Sequence, residues 1–254
     1  MDSFLKLPSR QNKPRKQGLT VLIDNGYPLA YFTDVLNSHG HLIDYVKFGW
    51  GTAYITKDIT KKIETARQNN IEVFLGGTFF EKAYLQKKID DFISYAKALG
   101  CTLVEISNGT IDMDNHEKAM FIADFASEFE VFSEVGYKDQ IRSQELHPAK
   151  WIEFINEDLN AGASRVITEA RESGASGICR SNGELRYGLI EEIIHSGIDL
   201  NSLIFEAPNK DLQTYFIKHI GHEVNLANIA FDDVIALETL RLGLRSDTLV
   251  NPND

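Results

Sequence analysis

Leu19–Thr20–Val21–Leu22–Ile23–Asp24–Asn25–Gly26–Tyr27–Pro28 is the stretch on which the fold turns. Its first six residues are a continuous, β-branched-rich run that ends on a carboxylate, and the next four make a turn. A doubly wound open sheet normally carries a glycine-rich phosphate fingerprint after its first strand, and this turn contains no GxGxxG. Seven further strand-type runs follow, at residues 45–50, 72–77, 102–107, 131–136, 165–170, 203–207 and 223–227. Most are continuous rather than alternating, as parallel strands covered by helices read.

Helix-type spacing fills the intervals. Leu29, Phe32, Val35 and Leu36 form one apolar face stopped by Gly40, and Ile59, Ile63 and Ala66 form a second. Phe80, Tyr84, Phe92, Ala96 and Leu99 lie along a third, closed by Gly100, and Ala119, Ile122, Ala123, Ala126 and Phe129 form a fourth. Trp151, Ile152, Ile155 and Leu159 follow Pro148 and end at Gly162. Leu185, Leu189, Ile193 and Ile194 precede Gly197, Leu212, Phe216 and Ile220 precede Gly221, and Val234, Leu237, Leu240 and Leu244 give the eighth. Strand and helix repeated eight times predict an α/β fold of the (β/α)8 TIM-barrel class. The chain has 254 residues, close to the roughly 250 such a barrel needs. The expected organisation is a basic N-terminal tail over residues 1–17 and one barrel domain over 18–254.

The tail carries Arg10, Lys13, Arg15 and Lys16 with no apolar signal core behind it, and a solvated segment is favoured there over an anion-binding arm. The whole chain has 26 basic and 37 acidic residues, a net charge of −11, which disfavours nucleic acid as a partner. A few converging cations can still make a local site for a small anion. Cys101 and Cys179 form no CxxC pair, which fits a reducing cytoplasm, and no apolar run is long enough to span a membrane. The histidines show no HExxH spacing, and neither a GxSxG elbow nor a P-loop occurs. The oligomeric state stays open, with a homo-oligomer allowed.

Barrel active sites sit at the C-terminal ends of the strands. Polar residues late in apolar runs are therefore the candidates: Asp24, Lys47, Glu105, Ser107, Glu134, Glu169, Glu206 and Asn225. Burying this many charges without partners is costly. A ring of glutamates around Mg²⁺, which prefers oxygen ligands, is favoured over a metal-free pairing of the same glutamates with Lys47 and Arg171. Lys138, just past the fifth run, can reach over the barrel mouth, although from composition alone a solvated lysine is favoured there. The segment Glu169–Ala170–Arg171–Glu172–Ser173–Gly174 opens a long Gly- and Ser-rich loop, a lid or anion clasp. Asn225 and Asn228 could meet a phosphate, but Asp232 and Asp233 compete for the last helix's N–H groups, so Lys47, Arg171 and Lys210 are better placed to hold negative charge.

Several of these strand ends resemble the motifs of the phosphosulfolactate synthase family, its bacterial branch included. They are Val46–Lys47–Phe48–Gly49–Trp50–Gly51–Thr52, Gly76–Gly77–Thr78–Phe79–Phe80–Glu81, Val104–Glu105–Ile106–Ser107–Asn108–Gly109 and Ser133–Glu134–Val135–Gly136. Thr168–Glu169–Ala170–Arg171–Glu172–Ser173–Gly174, Ile204–Phe205–Glu206–Ala207–Pro208 and Val224–Asn225–Leu226–Ala227–Asn228–Ile229 continue the order. One departure is Tyr137 before Lys138, where archaeal members carry two lysines. The resemblance implies a barrel, Mg²⁺ dependence, and addition of sulfite to phosphoenolpyruvate through an enolase-like aci-carboxylate. On that chemistry Lys138 is the first choice of general acid and Lys47 a second catalytic residue, and some of Glu105, Glu134 and Glu169 hold the metal. Asp24, Arg171, Ser173, Glu206, Lys210, Asn225 and Asn228 would bind substrate. Whether the product feeds coenzyme M or ends as sulfolactate is a question for genome context. Two other readings stand beside this one: a non-catalytic, stress-associated barrel relative acting in protein maintenance, and a barrel lyase with Lys47 as Schiff-base nucleophile.

Overall fold

A computed structural model describes residues 4–171, 174 and 176–249. Eight parallel strands close into a barrel in sequence order. They are β1 (Thr20–Asp24), β2 (Tyr45–Phe48), β3 (Glu72–Leu75), β4 (Leu103–Ile106), β5 (Glu130–Val135), β6 (Arg165–Thr168), β7 (Leu203–Glu206) and β8 (Leu226–Ile229). The helices that pack outside them are α1 (Leu29–His39), α2 (Thr52–Ile55), α3 (Ile59–Gln68), α4 (Gly77–Leu85), α5 (Ile89–Ala98) and α6 (Asn115–Phe125). They continue with α7 (Gln140–Glu145), α8 (Pro148–Ala161), α9 (Tyr187–Ile194), α10 (Lys210–His219) and α11 (Val234–Arg241). None among the described residues is long and apolar enough to cross a membrane.

Two apolar clusters hold the barrel. The larger lies between strands and helices and includes Phe32, Leu36, Val46, Phe80, Ile122, Trp151, Phe205 and Phe216. The smaller comprises Val21, Phe74, Leu103, Phe132, Ile167, Ile204 and Ala227, with Tyr45 packed against it. Alternate residues of a strand share a face. Two positions beyond Tyr45, Leu103, Phe132, Ile167 and Ile204 stand Lys47, Glu105, Glu134, Glu169 and Glu206. An apolar layer thus floors the barrel interior, and the next layer toward the C-terminal rim is charged.

Three expectations need correction. The third helical run is two helices, α4 and α5, because Lys87 between them adopts a left-handed φ of 56°. The eighth strand starts at Leu226, three residues later than expected, because Asn225 caps the neighbouring strands: its Oδ1 accepts from Leu19 N–H at 3.0 Å and its Nδ2 donates to Leu203 O at 3.0 Å. The basic N-terminal segment does not trail into solvent. Arg10 pairs with Glu238 and Arg15 with Asp44, each at 3.1 Å, because the N-terminal end of the barrel offers acidic side chains that need cations.

Candidate active site

At the C-terminal rim, Ile23, Lys47, Trp50, Gly77, Thr78, Glu105, Glu134, Lys138, Glu169, Arg171, Glu206 and Asn228 surround a cavity of about 30 Å³. It is small because the charged side chains close on one another. Lys47 Nζ lies 3.0 Å from Glu206 Oε1 and 3.4 Å from Glu105 Oε2. Lys138 Nζ lies 2.5 Å from Glu134 Oε1 and 2.8 Å from Glu169 Oε2. Backbone N–H groups fix two of the carboxylates further: Gly77 donates to Glu105 Oε1 at 2.7 Å, and Ala170 and Arg171 donate to Glu206 Oε2 at 2.8 and 3.1 Å. Position 77 must be glycine for this approach, since an added Cβ would stand 2.3 Å from Ser107 Oγ.

Charge arithmetic sets the electrostatics. Glu105, Glu134, Glu169 and Glu206 bring four negative charges and Lys47 and Lys138 two positive ones, leaving −2, or −1 with Arg171 on the rim. Burial pushes the Glu105 carboxyl up to about 7, and Glu134 adds to this against the pull of Lys47. Burial and then Glu134 also drive Glu169 well above the usual carboxylate range. Glu134 goes the other way: burial opposes its charge, but Lys138 and then Lys47 hold it near 2. Burial likewise opposes the charge on both lysines, and is outweighed by Glu105 and Glu206 around Lys47 and by Glu134 and Glu169 around Lys138, so both stay ammonium ions. A buried array short of positive charge is one that a cation relieves.

The structure brings together Lys47, Glu105, Glu134, Lys138, Glu169, Arg171, Glu206 and Asn228. Asn228 adopts a left-handed φ of 58°, and its buried Oδ1 has no hydrogen-bond partner among the described residues. Asn225 is a correction: it sits below β8, remote from the rim and spent on capping. Lys210 is a second. It begins α10, exposed, and pairs with Asp247 at 3.1 Å rather than reaching the cavity. Asp24 is a third: it ends β1, but its carboxylate pairs with the buried Lys62 of α3 at 2.5 Å and accepts from Gly26 and Tyr27 N–H, so it shapes the first loop. Ser173 lies outside the described residues. Trp50, Gly77 and Thr78 line the cavity without having been singled out as site residues, although all three fall inside the motif stretches quoted above. Glu81 of α4 was missed as well; its Oε1 accepts from Ser107 Oγ at 2.7 Å.

Residues 8–247 match the model of the (2R)-phospho-3-sulfolactate synthase (ComA) family. The chain is 56% identical to the phosphosulfolactate synthase of Bacillus subtilis, covering 97% of this chain and 98% of that one. It is 44% identical to the phosphosulfolactate synthase of Methanocaldococcus jannaschii, covering 92% and 94%. Among solved structures, a 3-hexulose-6-phosphate synthase superposes with a TM-score of 0.55 over 88% of this chain and 97% of that one; at 14% identity this shows a shared barrel alone. With the family's strand-end motifs gathered at one rim and its model matched nearly end to end, the chain belongs to the (2R)-phospho-3-sulfolactate synthase family.

Proposed function

We propose that this protein adds sulfite to phosphoenolpyruvate, giving (2R)-phospho-3-sulfolactate. The observation that carries the reading furthest is Lys138, an ammonium group held between Glu134 and Glu169 at the cavity mouth. The sulfite sulfur would attack the methylene carbon of phosphoenolpyruvate, forming the C–S bond and moving the π electrons into the carboxylate as an aci-carboxylate. Lys138 would then deliver its proton to the adjacent carbon as general acid. Its carboxylate partners keep that proton loaded before substrate arrives. Arg171 and Asn228 line the same cavity and offer a guanidinium and an amide to the anionic groups.

We propose Mg²⁺ as the cofactor, a reading the all-oxygen donor set supports. Glu105, Glu134 and Glu169 supply oxygen ligands alone. Glu105 Oε2 and Glu169 Oε2 are buried and face lysine ammonium groups at 3.4 and 2.8 Å. Among the described residues no three acidic side chains form a ready-made cation cluster, so the carboxylates are shared with Lys47 and Lys138. When bound, the ion supplies Lewis-acid stabilisation of charge on the substrate carboxylate.

A Schiff-base lyase needs a neutral amine at Lys47, and Glu105 and Glu206 favour the opposite state. A barrel kept for its shape alone has no use for a buried array of four carboxylates and two ammonium groups, which costs folding free energy. The test is incubation of the purified protein with phosphoenolpyruvate, sulfite and Mg²⁺, with product detected by mass spectrometry. Formation of phosphosulfolactate supports the proposal, and its absence under conditions where the Bacillus subtilis relative produces it overturns it.

A further inference from the structure

Trp50 holds a backbone conformation that a side chain of its size rarely adopts. Its φ of 51° and ψ of 24° are left-handed, where Cβ crowds the backbone and glycine alone sits freely. Bulky residues persist there when the surrounding structure enforces it, and they cluster at functional sites. The enforcement is visible here. Gly76 N–H donates to Phe48 O at 3.0 Å, and a Cβ on Gly76 would stand 3.1 Å from that oxygen and 3.5 Å from Gly49 Cα. The end of β3 is thus pressed against the chain just before Trp50. The outcome is an indole that is 50% exposed at the rim rather than packed into the core.

The indole's surroundings are of two kinds. Trp50 and Thr78 line the charged cavity and also an adjoining groove of about 850 Å³, walled by Tyr54, Phe79, Phe92 and Tyr95. Within the cavity lining among the described residues, Ile23 and Trp50 are the only apolar side chains, and Ile23 is buried while Trp50 is half-exposed. Glu105, Glu134, Glu169 and Glu206 are each nearly inaccessible, so among the described residues the site is closed from below.

We propose that Trp50 is a substrate-covering residue: its indole closes over bound phosphoenolpyruvate and keeps water from the carbon that Lys138 protonates. The inference rests on the function proposed above, because a dry rim matters where a proton must come from one chosen donor while charge accumulates beside it. Water at that position would compete as proton source and would screen the electrostatics of the cavity.

Trp50→Gly separates this role from a structural one. Glycine is at ease in the left-handed conformation, so the variant is expected to keep or raise Tm while kcat/KM for phosphoenolpyruvate falls at least about 10-fold. Trp50→Phe keeps an aromatic cover and is expected to stay within about threefold of wild type, the cost of one smaller ring in an apolar contact. The chain has two tryptophans, and Trp151 is fully buried. Phosphoenolpyruvate added with Mg²⁺ and without sulfite should therefore shift the emission of the wild-type protein, and Trp50→Phe should abolish the shift. Wild-type kcat/KM in Trp50→Gly, a fall in its Tm that accounts for the lost activity, or an emission spectrum indifferent to phosphoenolpyruvate would each overturn the proposal. Product from the wild type in the same assay keeps the two readings apart. If wild type makes phosphosulfolactate and Trp50→Gly does so equally well, the cover fails and the function stands. If wild type makes none, the function fails, and the emission response to phosphoenolpyruvate still judges Trp50.

Discussion

Replacing Glu105 with glutamine removes one negative charge from a cavity that holds four carboxylates against two ammonium groups, and it keeps the side chain's shape. In the folded protein burial holds the Glu105 carboxyl at about 7, against 4.5 for an unperturbed glutamate. The sign follows from proton binding. Between those two values the folded state keeps a proton that the unfolded state has released, so stability falls as pH rises through that window and levels off above 7. The glutamine variant has no such loss. At about 1.4 kcal/mol per pH unit, its advantage over wild type grows from under ~1 kcal/mol at pH 5 to ~3 kcal/mol at pH 7.5. Local contacts allow the exchange: the amide oxygen can still accept from Gly77 N–H, and Lys47 keeps Glu206 at 3.0 Å. Glu134, held near 2, releases its own stabilisation only as pH falls from 4.5 toward 2, outside the window compared. The assay is reversible urea unfolding of both proteins in metal-free buffer at pH 5 and pH 7.5, with Tm alongside. A gain of ~3 kcal/mol should appear as a rise of roughly 6–12 °C for a chain of this size. Activity should fall by about 100-fold or more, and Mg²⁺ should raise the Tm of wild type more than that of the variant, because an ion that binds only the folded state stabilises by mass action. If Glu105→Gln is no more stable relative to wild type at pH 7.5 than at pH 5, the account of a cavity short of positive charge is wrong.

Other outcomes follow from the same contacts. Lys138→Met should lower kcat by about 10²–10⁴, the usual worth of a general acid, while KM for phosphoenolpyruvate moves only a few-fold; near-normal turnover would remove Lys138 from the acid role. Borohydride reduction in the presence of phosphoenolpyruvate should leave Lys47 unmodified by peptide mass mapping, since its carboxylate partners keep it charged, and an adduct there would revive the Schiff-base reading. Lys210→Ala and Asn225→Ala should separate cleanly in steady-state kinetics and unfolding. The first breaks an exposed pair and should leave rate and Tm unchanged, so a raised KM would place Lys210 in the substrate's reach after all. The second orphans the buried Leu19 N–H and should cost about 1–3 kcal/mol of stability with KM intact.

The barrel is legible in the sequence because its strands are buried on both faces and read as apolar runs, most of them carrying a late residue that such a run should not contain. That contrast is what marks Lys47, Glu105, Glu134, Glu169 and Glu206, and the period of two places them on one face, just above Tyr45, Leu103, Phe132, Ile167 and Ile204. The eighth strand is the exception. Glu223 and Val224 extend its apparent run toward the N-terminus, so Asn225 looked like a late strand residue when it is a cap below the strand, and Asn228, inside β8, is the amide that reaches the cavity. Side chains contributed by helices were out of reach for another reason. Lys62, Glu81 and Lys118 stand on α3, α4 and α6 and read as ordinary polar positions of surface helices. Each instead points beneath a strand end, Lys62 to Asp24, Glu81 to Ser107, and Lys118 to the Glu134 carbonyl at 2.9 Å. Helical periodicity cannot tell a solvated lysine from one that snorkels inward.

The arithmetic of charge links this architecture to the chemistry. Phosphoenolpyruvate and sulfite are both anions, and a cavity whose side chains total −2 when all are ionised repels them increasingly as Glu105 and Glu169 give up their protons. In the arrangement described, Lys47 and Lys138 are occupied in holding the carboxylates apart. A divalent cation shared by Glu105, Glu134 and Glu169 would cancel that −2 and leave the two ammonium groups and Arg171 available to the substrate's anionic oxygens. On this account the carboxylate ring has a second effect besides holding metal: without the cation, it keeps the lysines paired and the cavity closed to anions. On the proposed function, an acidic protein that gathers two anionic substrates at one carbon would gain specificity from such a ring, because other small anions would meet the same closed cavity until a cation entered.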